Sequence, residues 1–243
     1  MTAVLVHGVP DTRALWSRVV ARLGDVPVVT PALPGFGVDA PAGFTGTRDA
    51  YTAWLIAEIE AIGTPVDLVG HDWGALLVQR VATLRPDLLR TLAFGSGPLD
   101  DAYVWHDTAQ AWQTPEVGEA LMAGIDAMSV ADRAVILEAG GADPDLAAEQ
   151  ARTWDPRMSA AILGLYRSAI DPGSVWPQLD GSVGVPTLVL WVGADTYAPP
   201  EFGARVAERT GADLVVFDGC PHWWPWSRAD EVAARLTALW SGA

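Results

Sequence analysis

Residues 69–75 read Val-Gly-His-Asp-Trp-Gly-Ala, and in this stretch two glycines frame the aspartate Asp72. The apolar run 66–70 leads into it, and residues 74–85 continue with apolar side chains at helical spacing. Small residues on either side of Asp72 let the backbone turn sharply between a strand and a helix. The stretch therefore predicts a strand–turn–helix junction that presents Asp72 at the carboxyl end of a strand. A simple helix N-cap is the structural alternative for the same aspartate.

Further short apolar runs predict the other strands of the same sheet. They are near-continuous rather than alternating, as expected when helices cover both faces of a parallel sheet. The predicted strands are 3–7, 26–30, 66–70, 90–96, 186–192 and 213–218, and the predicted helices around them are 12–23, 47–62, 74–85, 201–209 and 228–240. This alternation predicts an α/β fold with a mostly parallel sheet of about six strands covered by helices.

Residues 98–180 interrupt the alternation, because they contain no strand-like run. Amphipathic segments instead predict helices at about 101–112, 116–128, 130–139, 144–153 and 157–169. An all-helical insertion between two strands is typical of a lid over the carboxyl ends of a parallel sheet. The predicted domains are therefore a core of residues 1–97 and 181–243 and a helical lid of residues 98–180.

The composition limits the expected partners. The formal net charge of −15 would repel nucleic-acid phosphates and anionic membranes, so neither is an expected partner. The single cysteine, Cys220, excludes an internal disulfide and a cysteine-cluster metal site, and no cofactor or metal is predicted. Since there is no charged leader and no apolar run of about 18 residues, a soluble cytoplasmic protein is the expectation.

Two residues that come after predicted strands could complete a catalytic site with Asp72. Asp195 lies just beyond the strand 186–192, and His222 lies just beyond the strand 213–218. A carboxylate that attacks carbon forms an ester, whose hydrolysis needs a base to activate water and an acid to orient that base. The chain order predicts Asp72 as nucleophile, Asp195 as acid and His222 as base. A turn aspartate and a packed histidine are the structural alternatives.

The turn His7-Gly8-Val9-Pro10 after the first strand could supply part of an oxyanion-binding site. The backbone N–H of Val9 and that of Trp73, the residue after Asp72, are the expected donors. An ordinary tight turn is the structural alternative.

Several motifs together resemble the α/β-hydrolase superfamily from end to end of the chain. They are HGVP at 7–10, PALPGFG at 31–37, GHDWGA at 70–75, GAD at 193–195 and PH at 221–222. The aspartate in GHDWGA resembles the branch that contains epoxide hydrolases and haloalkane dehalogenases. The resemblance implies an enzyme that uses Asp72 to attack a saturated carbon of a small apolar substrate, and that releases the product with water.

The leaving group separates these two families, because an epoxide oxygen needs a proton donor whereas a halide needs N–H donors. The segment MSAAILGLYRSA, residues 158–169, resembles the epoxide-hydrolase lid helix in which tyrosine precedes arginine. This implies that Tyr166 is the proton donor, with a packed core tyrosine as the alternative. The family's second lid tyrosine aligns with Thr108, and His106 nearby is either a substitute donor or a solvated helix residue.

The sequence does not exclude a haloalkane dehalogenase. Val9 stands where dehalogenases commonly carry an asparagine that binds halide, and valine has no side-chain donor. A lid tryptophan could still bind a halide together with Trp73, and the candidates are Trp105, Trp112 and Trp154. Trp73 itself is either a substrate contact or a packed core residue.

The resemblance thus implies an epoxide hydrolase, with a haloalkane dehalogenase as the first alternative and a non-catalytic hydrolase-fold binding protein as the second. A serine esterase is disfavoured because no serine occupies the junction. The resemblance implies two further strands for which the sequence before His7 leaves no room, so we expect the strand 26–30 at a sheet edge flanked by Pro27 and Pro31. A monomer or a homodimer is consistent with such an edge.

Overall fold

The described part of the chain is residues 1–171, 176 and 179–243 of a computed structural model, and it contains a central sheet of six strands. The strands are β1 (Ala3–Val6), β2 (Val28–Val29), β3 (Val66–His71), β4 (Leu89–Gly95), β5 (Thr187–Val192) and β6 (Asp213–Phe217). Their order is β2-β1-β3-β4-β5-β6, and every neighbouring pair is parallel. The predicted α/β architecture is confirmed.

Helices cover both faces of the sheet. In chain order they are α1 (Ser17–Val20), α2 (Arg48–Glu60), α3 (Trp73–Leu84), α4 (Asp107–Gln113), α5 (Val117–Ala127), α6 (Val130–Ala139), α7 (Pro144–Thr153), α8 (Pro156–Arg167), α9 (Pro200–Thr210), α10 (Trp224–Ser227) and α11 (Ala229–Ser241), with short 3-10 helices at Arg13–Trp16 and Pro86–Leu88. Buried side chains of β1 alternate between two apolar clusters, one on each face. Because both faces of the sheet are buried, successive side chains of a strand are apolar on both sides, and the strands read as continuous apolar runs. Among the described residues, no helix is both long and apolar enough to cross a membrane.

Helices α4 to α8 lie between β4 and β5, within the predicted lid, and they are called the lid helices below. The ranges of α6 and α7 agree with the predicted helices 130–139 and 144–153. The first predicted helix, 101–112, begins too early, because α4 starts at Asp107. His106 is the N-cap of α4, and its Nδ1 accepts a hydrogen bond from the Ala109 N–H over 3.3 Å. Residues 172–175 and 177–178 of the predicted lid lie outside the described residues.

The strand β2 forms one edge of the sheet, as predicted for residues 26–30. It is shorter than predicted, because only Val28 and Val29 pair with β1. Pro27 and Pro31 flank it, and neither proline has an N–H to extend the ladder. The catalytic candidates lie after β3, β5 and β6, so the edge strand does not contribute to the site.

Candidate active site

Asp72 occupies the sharp turn between β3 and α3. Its backbone has φ 54° and ψ −122°, a conformation that non-glycine residues adopt at a cost and that clusters at functional sites. The flanking glycines are required, because a Cβ on Gly70 would lie 2.4 Å from the Gly74 carbonyl oxygen and a Cβ on Gly74 would lie 2.3 Å from the Val6 carbonyl oxygen. Asp72 stands at the N-cap position of α3, but its side chain makes no capping hydrogen bond. The side chain is therefore available for chemistry.

The turn after β1 lies directly against this carboxylate. The Val9 N–H donates a hydrogen bond to Asp72 Oδ2 over 2.8 Å, and the Trp73 N–H beside it lowers the pKa of the same carboxylate. A Cβ on Gly8 would lie 2.2 Å from Oδ2, so only glycine fits beside it. His7 holds the turn, because its Nε2 accepts from the Leu33 N–H over 3.1 Å while its Nδ1 lies 2.9 Å from the Gly8 carbonyl oxygen. The two predicted oxyanion donors thus converge on Asp72.

His222 lies between two carboxylates at the carboxyl edge of the sheet. Its Nδ1 is 3.0 Å from Asp195 Oδ2, and its Nε2 is 3.9 Å from Asp72 Oδ1. Asp195 Oδ1 is fixed in turn by the N–H groups of Tyr197 and Ala198, each at 2.9 Å. Because Asp195 is already oriented by its own loop, it can hold the His222 ring with Nε2 directed at Asp72.

Burial and charge shift the acid–base behaviour of this trio. Burial raises the pKa of Asp72 to about 6, although the His222 charge and the Val9 N–H oppose the shift. Burial alone would lower the pKa of His222, but the carboxylates of Asp195 and then Asp72 raise it to about 9. Burial also opposes ionisation of Asp195, yet His222 keeps the pKa of Asp195 below its usual value. Near neutral pH, His222 is therefore an imidazolium between two carboxylates.

A cavity of about 290 Å³ opens above Asp72, between the core and the lid helices. The predicted site residues that line it are Val9, Asp72, His106, Thr108, Tyr166 and His222. Its volume lies near the lower end of the range for small-molecule sites. Trp73 is fully buried, and its ring packs against the rings of Trp105 and Tyr166.

Tyr166, on the lid helix α8, lines the cavity. Its ring lies edge-on to those of Trp73 and Trp112, with centroids 5.2 Å and 4.9 Å away, and it is 3% exposed. Burial, followed by the charge of Asp72, raises the pKa of Tyr166 well above its usual value. The hydroxyls of two other cavity tyrosines, Tyr103 and Tyr197, donate to backbone carbonyls. Tyr166 is therefore the lid tyrosine best suited to donate a proton to a ligand.

The two remaining lid candidates are less well placed. His106 is half-buried, and its Nδ1 is occupied as the N-cap of α4. Burial lowers the pKa of His106 to about 4, so it is a neutral imidazole near neutral pH. Thr108 lines the cavity, although the residue as a whole is exposed. His106 is thus neither a solvated helix residue nor a strong proton donor.

The three lid tryptophans differ in what their indole N–H groups contact. The N–H of Trp105 donates to the Ala169 carbonyl oxygen over 2.8 Å, and that of Trp154 donates to Ser159 Oγ over 3.0 Å. The N–H of Trp112 is buried and has no hydrogen-bond partner within the described residues, although Trp112 lines the cavity. Of the three, Trp112 is therefore the one with a donor left for a ligand.

Asp11 is a site residue that the sequence analysis missed. It is 1% exposed, and it accepts hydrogen bonds from Gln150 Nε2 of α7 over 2.8 Å and from Trp223 Nε1 over 3.2 Å. Burial raises the pKa of Asp11 to about 7, and its charge adds to the rise in the pKa of His222. The sequence contains one indication that Asp11 belongs to the site, because it comes directly after the HGVP turn. Asp11 links the lid to the loop that carries His222.

The site combines a buried carboxylate with two N–H donors, a histidine–aspartate pair and a protonated phenol. Among the residues that the structure describes, no group of three or more histidine, cysteine, aspartate or glutamate side chains is arranged to hold a metal ion. These parts are sufficient for nucleophilic attack by Asp72 followed by water activation at His222.

Comparison with known proteins places the chain in a family. The sequence profile of the alpha/beta hydrolase family matches residues 3–235. The chain belongs to this family. The predicted fold and family membership are therefore confirmed, and hydrolase family members are enzymes.

The curated relatives of this alpha/beta hydrolase include three different activities. Lipase LipV of Mycobacterium tuberculosis is 30% identical over 95% of the chain and 90% of its own length. A haloalkane dehalogenase of Bradyrhizobium diazoefficiens is 25% identical over 98% of the chain and 86% of its length. An epoxide hydrolase of Caballeronia sordidicola is 28% identical over 72% of the chain and 55% of its length. Epoxide hydrolases and a dehalogenase are thus among the relatives, and so is a lipase.

Solved structures give the same fold. An epoxide hydrolase from Vigna radiata superposes with a TM-score of 0.79 at 18% identity, covering 100% of this chain and 91% of that one. Haloalkane dehalogenase DbeA from Bradyrhizobium elkani superposes with a TM-score of 0.75 at 21% identity, with the same coverage. At these identities the likeness concerns the fold alone.

Proposed function

We propose that this alpha/beta hydrolase is an epoxide hydrolase, which opens a small epoxide to a diol through a covalent ester on Asp72. One observation carries the proposal: a carboxylate stands at the turn after β3, with His222 Nε2 3.9 Å from its Oδ1 and Tyr166 lining the same cavity. The epoxide hydrolases among the relatives support it.

The first step is displacement at a ring carbon. Because Asp72 Oδ2 accepts the Val9 N–H, Oδ1 is the oxygen that attacks the carbon. The new bond forms between Oδ1 and the carbon, the ring carbon–oxygen bond breaks, and the alkoxide takes the hydroxyl proton of Tyr166. The raised pKa of Tyr166 keeps this proton on the enzyme until the ring opens, when the strongly basic alkoxide can take it.

The second step is hydrolysis of the ester. Ester formation removes the negative charge of Asp72, which had helped to raise the pKa of His222, so His222 then releases its proton to solvent more easily. Neutral His222 takes a proton from water, whose oxygen attacks the ester carbonyl, and the N–H groups of Val9 and Trp73 hold the oxyanion. Collapse returns that proton to the departing diol, and the second water proton then passes from the new Asp72 carboxyl group to His222, which restores the carboxylate and the imidazolium. The Tyr166 phenolate regains a proton from solvent.

Haloalkane dehalogenation is the second candidate, and a specific observation favours it. The indole N–H of Trp112, which has no partner among the described residues, could stabilise a leaving halide, and the ring of Trp73 packs against that of Tyr166. Against it, Val9 offers only its backbone N–H, which already contacts Asp72. The same trio of Asp72, Asp195 and His222 would serve both reactions.

Ester hydrolysis and simple binding complete the alternatives. Lipase LipV is similar along nearly the whole chain, but carboxylate attack by Asp72 on an ester would give an anhydride rather than an alkyl ester. A non-catalytic binding protein would have no use for the His222–Asp195 pair directed at Asp72.

A side-by-side substrate screen tests the proposal. Styrene oxide, 1-bromobutane and 4-nitrophenyl butyrate are offered to the wild type and to Asp72→Asn, with diol, bromide and nitrophenol as readouts. We expect diol formation that Asp72→Asn abolishes. Bromide release without diol supports the dehalogenase, Asp72-independent ester cleavage contradicts the mechanism, and no product from any of them supports a binding protein.

A further inference from the structure

Helix α6 brings a cation into the wall of the active-site cavity. Arg133 lines it, among walls that are mainly aromatic and aliphatic, such as Ile125 and Trp154. Arg133 Nη1 donates a hydrogen bond to the Trp154 carbonyl oxygen over 2.5 Å, and the buried Nε has no hydrogen-bond partner among the described residues. A guanidinium has five N–H groups, so one bond to a carbonyl leaves most of its donor capacity unused.

Arg133 also differs from the other arginines of the lid helices. Arg152, Arg157 and Arg167 each form an ion pair with a carboxylate. Arg133 has no such partner within residues 1–171, 176 and 179–243. The chain holds 30 acidic and 15 basic residues, so carboxylates are abundant, and yet no described carboxylate lies within ion-pair distance of Arg133. Within the described residues, the guanidinium of Arg133 therefore contacts a carbonyl oxygen but no carboxylate.

A partly buried charge in an apolar wall is solvated less well than a charge on the surface, so a partner of opposite charge would stabilise it. We propose that the substrate supplies this partner as a carboxylate, which pairs with Arg133 while the reacting carbon faces Asp72. The planar fork of a guanidinium matches a carboxylate in two parallel hydrogen bonds. Since one arginine balances one charge, a monoanion fits better than a phosphate dianion.

This inference rests on the proposed function and narrows its substrate class. The substrate is an epoxide, or an alkyl halide in the second candidate, whose apolar chain ends in a carboxylate. The apolar walls hold the chain, Arg133 on the lid holds its charged end, and Asp72 on the core meets the electrophilic carbon. The lid then selects the substrate and also fixes which carbon is attacked.

A binding experiment tests the charge recognition without relying on turnover. Hexanoate and its uncharged analogue hexanamide are titrated by calorimetry into the wild type, Arg133→Gln and Arg133→Lys. Glutamine keeps a hydrogen-bonding side chain without the charge, and lysine keeps the charge without the planar fork. Arg13→Gln is the matched control, because Arg13 is exposed and removing it changes the net charge equally.

We expect the wild type to bind hexanoate about 10- to 100-fold more tightly than hexanamide, the range for hydrogen bonds to a charged group. Arg133→Gln removes this preference, Arg133→Lys keeps part of it, and Arg13→Gln leaves it intact. A merely structural role for Arg133 would weaken both ligands equally. Equal binding of the two ligands by the wild type, or a preference that survives Arg133→Gln, overturns the inference.

A kinetic experiment then separates this inference from the proposed function. The substrates are 5,6-epoxyhexanoate and its methyl ester, with diol formation as the readout. Preferred turnover of the acid, lost in Arg133→Gln, supports both proposals. Equal turnover of acid and ester overturns the carboxylate inference and leaves the epoxide hydrolase standing. Carboxylate-selective binding without any diol supports the Arg133 site and contradicts the epoxide hydrolase.

Discussion

His222 Nε2 and Asp72 Oδ1 lie 3.9 Å apart, within ion-pair range but beyond the length of a hydrogen bond. The imidazolium therefore stabilises the ionised nucleophile without occupying the oxygen lone pair that attacks carbon. His222 is also close enough to take a proton from a water molecule that approaches the ester carbonyl carbon from the side of the His222 ring. At this distance His222 can stabilise the Asp72 carboxylate in the first step and activate water in the second step.

The pH dependence of the first step is set by the pKa of Asp72. Burial raises this pKa to about 6, and only the ionised carboxylate attacks. We expect the single-turnover rate of Asp72 alkylation to fall about tenfold for each pH unit below 6. Rapid-quench mass spectrometry across a pH series measures this rate. An alkylation rate that stays constant well below pH 6, in protein that circular dichroism shows to be folded, would contradict the assignment.

Tyr166→Phe tests the leaving-group donor. Loss of the phenol should slow epoxide opening by about 10²-fold or more, since the alkoxide then leaves without a proton donor. Bromide needs no proton, so any halide release should be almost unaffected. Tyr103→Phe is the matched control, because the Tyr103 hydroxyl donates to the Tyr197 carbonyl. Epoxide turnover that survives Tyr166→Phe would rule out Tyr166 as the donor.

Asp11→Asn tests the buried carboxylate beside the triad. The Asp11 charge helps to raise the pKa of His222, so its removal should lower that pKa and shift the pH profile of ester hydrolysis to lower pH. The measurement is the decay of the Asp72 ester as a function of pH. Glu58→Gln removes one exposed negative charge and serves as the control. If both variants shift the profile equally, Asp11 has no specific influence on His222.

Gly74 and Gly124 both lie in helices, and replacing each by alanine tests how closely the backbone packs at the turn that carries Asp72. A Cβ at Gly74 would lie 2.3 Å from the Val6 carbonyl oxygen, whereas a Cβ at Gly124 of α5 would meet nothing within 4 Å. Gly74→Ala should lower the free energy of unfolding by about 1–3 kcal/mol. Gly124→Ala should raise it by about 0.5–1 kcal/mol, because alanine favours an exposed helix. Urea unfolding measures both, and equal stability of the two variants would contradict the close packing at the turn.

Much of the core geometry was predictable because the carboxyl ends of parallel strands meet at one edge of the sheet. Asp72, Asp195 and His222 each come just after a strand, and the structure places His222 3.9 Å from Asp72 and 3.0 Å from Asp195. Their chemical roles stay predictions. The edge strand was predicted too long, because apolar spacing continues through Pro27 although proline cannot donate to the ladder.

The lid was less predictable, because hydrogen bonds between distant residues decide its detail. Helix α4 begins only at Asp107, since His106 caps it, whereas the apolar spacing suggested an earlier start. Trp105 and Trp112 look equivalent in the sequence. In the structure, the indole N–H of Trp105 donates to the Ala169 carbonyl oxygen, whereas the indole N–H of Trp112 has no hydrogen-bond partner among the described residues. The contact between Asp11 and Gln150 joins residues 139 positions apart, and no local pattern indicates it.

The covalent ester on Asp72 is the central claim, and the His222→Gln variant tests it most directly. Without the base, the ester should form at the first turnover and then persist. The measurement is mass spectrometry of the digested variant after incubation with an epoxide. We predict that the peptide containing Asp72 gains the full mass of the epoxide, on that residue. An unmodified Asp72 peptide in a variant that still forms diol would contradict the account.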